Sequence, residues 1–111
     1  MPPDYIGEFE QLVLMTILRL GDGAYGATVR DEIADRTGRD VSLSAVYTTL
    51  ERLEHKKLLR SRIGEPTPQR GGRRKRYFVL SAAGEHALQA SWQRLKRAAE
   101  GLEPLLDRGQ S

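Results

Sequence analysis

Cysteine is absent from the 111 residues. That excludes a disulfide framework and any thiolate metal site, and it suits a reducing compartment. The two histidines, His55 and His86, stand far apart in no ligand spacing, so no metal is expected. Aromatic residues make up only 6% of the chain, which disfavours the stacking platform that single-stranded RNA needs. No apolar run approaches the ~20 residues of a membrane span. The start, Met1 to Glu10, is acidic and lacks the basic and apolar regions of a signal peptide. A soluble, cytoplasmic protein with no membrane partner is the expectation. No nucleophile–base arrangement occurs, and Gly71-Gly72 lacks the strand–loop–helix setting of a phosphate loop. No catalytic residue and no cofactor is therefore assigned, and an enzyme is not expected.

What the sequence does have is uneven charge. The net charge is only +3, yet residues 52–76 hold ten Lys and Arg against two Glu, a local +8. The remaining eight basic and thirteen acidic residues leave −5 elsewhere. A basic segment on an acidic body points to a polyanionic partner.

Hydrophobic spacing gives the elements. Phe9, Leu12, Val13, Ile17 and Leu20 form an apolar stripe on a helix over 8–20. Leu14, Met15 and Leu18 make a second stripe, read as an interface with another subunit. After Gly21-Asp22-Gly23, a second helix runs from about Tyr25 to Thr37, where Gly38 stops it. Ser42 is placed to cap a third helix, whose buried face is Leu43, Val46, Leu50 and Leu53. Its other face begins with Ser44, Ala45, Thr48 and Thr49 and ends with Arg52 and His55. Alternation predicts strands over 58–63 and 76–80, joined by a Gly-, Pro- and Arg-rich loop. Ser81 caps a last helix. On it Leu88, Trp92, Leu95, Ala99, Leu102 and Leu106 fall at steps of four and three, a short heptad seam. Pro104 should strain or end that helix near its last turn.

The order helix, helix, helix, strand, basic loop, strand, helix is mainly α with a two-stranded β wing. It predicts a winged helix-turn-helix over 1–80 and a C-terminal dimerisation helix over 81–107. In that fold the third helix enters the major groove of double-stranded DNA. Small residues at its start let the backbone approach, and Ala or Thr methyls can meet thymine. Ser42, Ser44, Ala45, Thr48 and Thr49 are the candidates there. Long cations reach phosphate: Arg52 and Lys56 at the helix end, Arg70, Arg73, Arg74 and Lys75 in the wing.

Three segments resemble the PadR family of bacterial transcriptional regulators. They are Tyr25-Gly26, the run Ser-Leu-Ser-Ala-Val-Tyr-Thr-Thr-Leu-Glu-Arg-Leu-Glu ending at Glu54, and the run from Arg70 through Tyr77 to Gly84. The resemblance spans about residues 7–105. It implies a homodimer built by the first and last helices, a palindromic operator and, usually, repression. By position it turns Tyr47 and the exposed positions of its helix towards DNA. The single short C-terminal helix is similar to the smaller PadR subclass, whose dimer interface can house aromatic drug-like ligands. Two departures stand out. Lys57 occupies a position usually given to Gly, where a left-handed backbone would cost on the order of 1 kcal/mol. Ala82 and Ala83 replace the usual Pro or Glu.

Plainer readings stand beside these. Tyr47 borders the buried stripe, so packing competes with phosphate contact. Trp92 is an interface anchor as much as a candidate site for an aromatic effector. Tyr25 reads as core, and Glu51 with Glu54 as charged surface. The competing class is a winged helix that binds another protein, since fold alone does not fix function.

Overall fold

The computed structural model describes residues 5–65 and 74–109. Its elements are α1 (Glu8–Leu20), α2 (Gly26–Thr37), α3 (Leu43–His55), β1 (Leu59–Ile63), β2 (Arg76–Leu80), α4 (Ala82–Ala99) and α5 (Glu103–Leu106). The predicted order is observed: three helices, a two-stranded antiparallel wing and C-terminal helix, the winged-helix arrangement. The loop positions 66–73, with Arg70 and Arg73, lie outside the described residues.

Local chemistry sets the ends. The Ser42 hydroxyl accepts from the Ala45 N–H at 3.0 Å, as expected of an N-cap. Ser81 does the same for Gly84 at 3.0 Å. Its hydroxyl also donates to the Lys57 carbonyl at 2.7 Å, which ties the start of α4 to the turn after α3. At that turn Lys57 has φ 66°, so the position usually given to Gly does take the left-handed conformation.

The β1–β2 ladder pairs Leu59 with Leu80, Ser61 with Phe78 and Arg62 with Tyr77. The Phe78 N–H donates to the Ala24 carbonyl at 2.9 Å, so the stretch before α2 borders the sheet. Val13, Leu14 and Ile17 of α1 meet Val29, Ile33, Val46, Leu50, Leu53, Leu59, Phe78 and Ala87 in one core. Burying each of the larger side chains is worth roughly 1.5–3 kcal/mol.

Two expectations are corrected here. Leu14 is 0% exposed and belongs to the chain's own core, as does Leu88. Glu10, Val13, Leu14 and Ile17 are spaced by three, one and three, which puts Leu14 on the inner face. The outer face keeps Met15 and Leu18. The last helix is also not continuous. α4 ends at Ala99, and Gly101 takes φ 85°, a turn open to glycine at little strain. Pro104 lies in the first turn of α5, where its missing N–H is harmless. The break therefore falls before the proline, and the seam from Leu88 to Leu106 is divided between two helices.

Candidate nucleic-acid interface

Helix α3 turns Val46, Thr49, Leu50 and Leu53 inward. Ser44, Ala45, Tyr47, Thr48, Glu51, Arg52 and His55 remain exposed, and so does Ser42 at the cap. Thr49 is corrected: at 4% exposure it packs on the core side of the helix and offers nothing to a groove. The exposed face is narrow-shouldered at its start, with the first cation, Arg52, at its end.

Tyr47 packs on one side and stays open on the other. Its ring lies against Gly26, where an added Cβ would come within 2.5 Å of Cζ, yet 42% of the residue stays exposed. Gly26 is thus the seat of Tyr47, and the Tyr25-Gly26 pair and the third helix serve one contact. Tyr25 is half-buried rather than core, with its ring edge against Tyr77 at 5.5 Å and 79°.

The cations divide by partner. The Lys56 Nζ donates to the Glu10 Oε2 at 2.8 Å, and the Gly7 N–H donates to Oε1 at 3.0 Å. Lys56, expected at phosphate, is therefore held by α1. Burial pushes the Glu10 carboxyl up. The Lys56 hydrogen bond, the Gly7 N–H and the charges of Lys56 and Arg52 outweigh it and keep the group below its usual 4.5. Arg76 pairs with Glu54, and both the Ser61 hydroxyl and the Arg76 guanidinium donate to that carboxylate. The Arg76 Nε also donates to Ser61 Oγ at 3.0 Å. Glu54, read from sequence as surface charge, instead joins the last turn of α3 to both wing strands. The diagonal neighbours Ser61 and Arg76 become visible only once the strand register is known. Of the predicted wing cations, Arg74 is exposed and Lys75 half-buried, its Nζ 5.0 Å from the Tyr25 ring.

Other exposed apolar side chains lie on α1 and the C-terminal helices. Met15, Leu18, Trp92, Leu95 and Leu102 are exposed, Trp92 at 47% and Leu95 at 53%. Leu105 and Leu106, on α5, join them. Between α4 and α5 a groove of about 670 Å³ is lined by Trp92, Leu95, Lys96, Ala99, Glu103 and Leu106, among others. Among the described residues no His, Asp or Glu cluster could hold a metal ion, and no helix is long and apolar enough to cross a membrane.

Fold and charge together define a winged-helix protein with a cationic wing. Residues 13–90 match the Transcriptional regulator PadR-like family, and the chain belongs to that family of regulators. Its fold is similar to a Streptococcus transcriptional regulator, with 25% identity and a TM-score of 0.69 over 87% of this chain and 90% of that one. It is similar to a PadR family transcription regulator from Clostridium difficile R20291, with 22% identity and a TM-score of 0.71 over 88% and 98%. A PadR-like transcriptional regulator from Bacillus cereus ATCC 14579 gives 19% and 0.68 over 88% and 90%. No curated protein matches the sequence.

Proposed function

We propose that the chain is a homodimeric, sequence-specific DNA-binding repressor that acts on a pseudo-palindromic operator. The observation that carries this is the exposed start of α3. Ser44, Ala45 and Thr48 leave room for a groove edge, with Arg52 and the cationic wing beside them. Homodimerisation is supported by the apolar face of Met15, Leu18, Trp92, Leu95 and Leu102. The radius of gyration, 15.7 Å, exceeds the roughly 13 Å of a compact chain this long. A projecting apolar helix suits a second copy better than solvent. Two-fold symmetry then sets half-sites about one helical turn, roughly 34 Å, apart.

Selecting bound duplexes from a random pool tests sequence preference, symmetry and spacing together. Enriched inverted repeats are expected. A pool that stays random while the protein captures other proteins would favour the interaction-module reading.

The α4–α5 groove is the proposed effector site. Its volume lies within the range of small-molecule pockets, and Trp92 offers an indole face to a flat aromatic compound. An effector bound there releases DNA if it prefers the dimer geometry that does not fit the operator. Titration with planar cationic dyes should quench the single tryptophan saturably and release operator DNA. Unquenched emission, with loss of the dimer in Trp92→Ala, leaves Trp92 as an anchor alone.

A further inference from the structure

We propose that Arg62 and Lys75 form a phosphate clamp at the root of the wing. Each is held over an aromatic ring, and together they grip the duplex backbone beside α3. The proposal rests on the DNA-binding reading and adds to it Arg62, Tyr25 and Tyr77.

Arg62 and Tyr77 are cross-strand partners in the β1–β2 ladder, so their side chains share one face of the sheet. The Arg62 guanidinium lies 4.6 Å from the Tyr77 ring centre. Tyr77 meets Tyr25 edge to face at 5.5 Å, and the Lys75 Nζ lies 5.0 Å from the Tyr25 ring. The four side chains alternate as cation, ring, ring, cation.

Other cations of the head have carboxylate partners, even where Arg39 also lies over Phe9 and Arg76 over Phe78. Lys56 is paired with Glu10, Arg39 with Glu8 and Arg76 with Glu54. A carboxylate partner orders a cation but neutralises it. A ring face orders a cation through its quadrupole and leaves the full positive charge in place. A guanidinium lying on a ring also keeps its N–H edge free for the two oxygens of a phosphate. Among the described residues Arg62 and Lys75 have no ion pair, so the wing root presents two ordered, uncompensated charges.

Their position gives the ligand. Tyr25 directly precedes Gly26, and Tyr47 of α3 lies on Gly26. The Tyr25–Gly26 step therefore joins the pair of rings at the wing root to the seat of Tyr47 on the recognition helix. A duplex whose groove receives α3 brings its flanking strand along this line. Phosphodiester oxygens are the expected partners.

The test uses the intact protein, its selected operator and a random duplex. Each phosphate contact adds about 0.9 to the slope of log affinity against log salt, equivalent to about fivefold in affinity near 0.15 M salt. Arg62→Ala should flatten the slope by about 1 for each bound copy and weaken both duplexes alike, with an unchanged Tm. Arg62→Lys should keep the slope. Tyr77→Phe should bind as the parent does, and Tyr77→Leu should lose affinity while keeping the slope, because the charge stays but its order is lost. Arg36→Ala removes the same charge from α2, where Arg36 is paired with Glu32, and should leave the slope unaltered. Parent-like binding by Arg62→Ala would overturn the clamp alone. Equal flattening by Arg36→Ala would also overturn it, by assigning the effect to net charge. Failure of the parent protein to bind any duplex would overturn the DNA-binding reading and the clamp with it.

Discussion

Lys57 shows how far a single residue was legible. The family's usual glycine raised a left-handed backbone there as one of two readings, beside a phosphate contact, and φ is 66°. Three hydrogen bonds impose it: Lys57 N–H to the Glu54 carbonyl, Leu58 N–H to the Leu53 carbonyl, and Ser81 hydroxyl to the Lys57 carbonyl. Lys57→Gly should relieve strain of about 1–2 kcal/mol, less the backbone entropy glycine adds to the unfolded chain. A net gain of up to about 1 kcal/mol is expected, read as a higher urea midpoint with an unchanged slope. Glu10 was not legible in this way, because its partner is 46 residues distant in sequence. The one local signal was a glutamate three residues after a helix-capping position. Its lowered pKa has a definite sign. The folded state holds the carboxylate ionised more strongly than the unfolded chain does. The contribution to stability is therefore full above 4.5 and is lost as pH falls through the lower folded value. Urea unfolding from pH 7 down to pH 3 should show this loss, and Lys56→Met should be destabilised at pH 7 because it leaves a buried carboxylate uncompensated.

At the scale of elements, all four major helices and both strands were readable from apolar spacing, Ser caps and the Gly-rich loop. The inward turn of Leu14 was not. Leu14 sits between two apolar stripes, and which one becomes core depends on where α2, α3 and α4 pack. The break at Gly101 was missed for a related reason: a heptad seam and a proline drew attention to Pro104, while the glycine three residues earlier fixed the end of α4. The link between α3 and the wing was likewise hidden, since Glu54, Ser61 and Arg76 come from three elements. This link carries a prediction. Glu54→Gln should loosen the angle between recognition helix and wing and weaken binding to every duplex. Its effect on stability should stay within about 1 kcal/mol, as expected of a half-exposed pair. Hydrogen exchange should be faster at the β1–β2 amides. Unchanged exchange with unchanged affinity would make the pair ornamental surface.

At the scale of the molecule, the chain has a well-filled head and an apolar arm. The proposed dimer makes the arm's exposure sensible, and Leu95 is the place to test it. Leu95 is half-exposed in the isolated chain, so Leu95→Glu should leave the fold intact and oppose only association. Sedimentation should find the parent protein dimeric at micromolar concentration and the variant monomeric, with equal helical content. A monomeric parent would remove the argument for paired half-sites.

The Glu10–Lys56 pair has a mechanical consequence. It bolts the first turn of α1 to the end of α3, while the same α1 turns Met15 and Leu18 outward. The surface that would touch a second copy and the helix that would read the operator thus sit on one stiff lever. In the proposed dimer a recognition helix stands about 17 Å from the two-fold axis, half the roughly 34 Å between half-sites. A subunit rotation of about 10° then sweeps its tip through about 3 Å, close to the rise of one base pair. In the proposed dimer, small adjustments between the arms would be geared into register on the duplex, because α1 and α3 share one core as well as this ion pair.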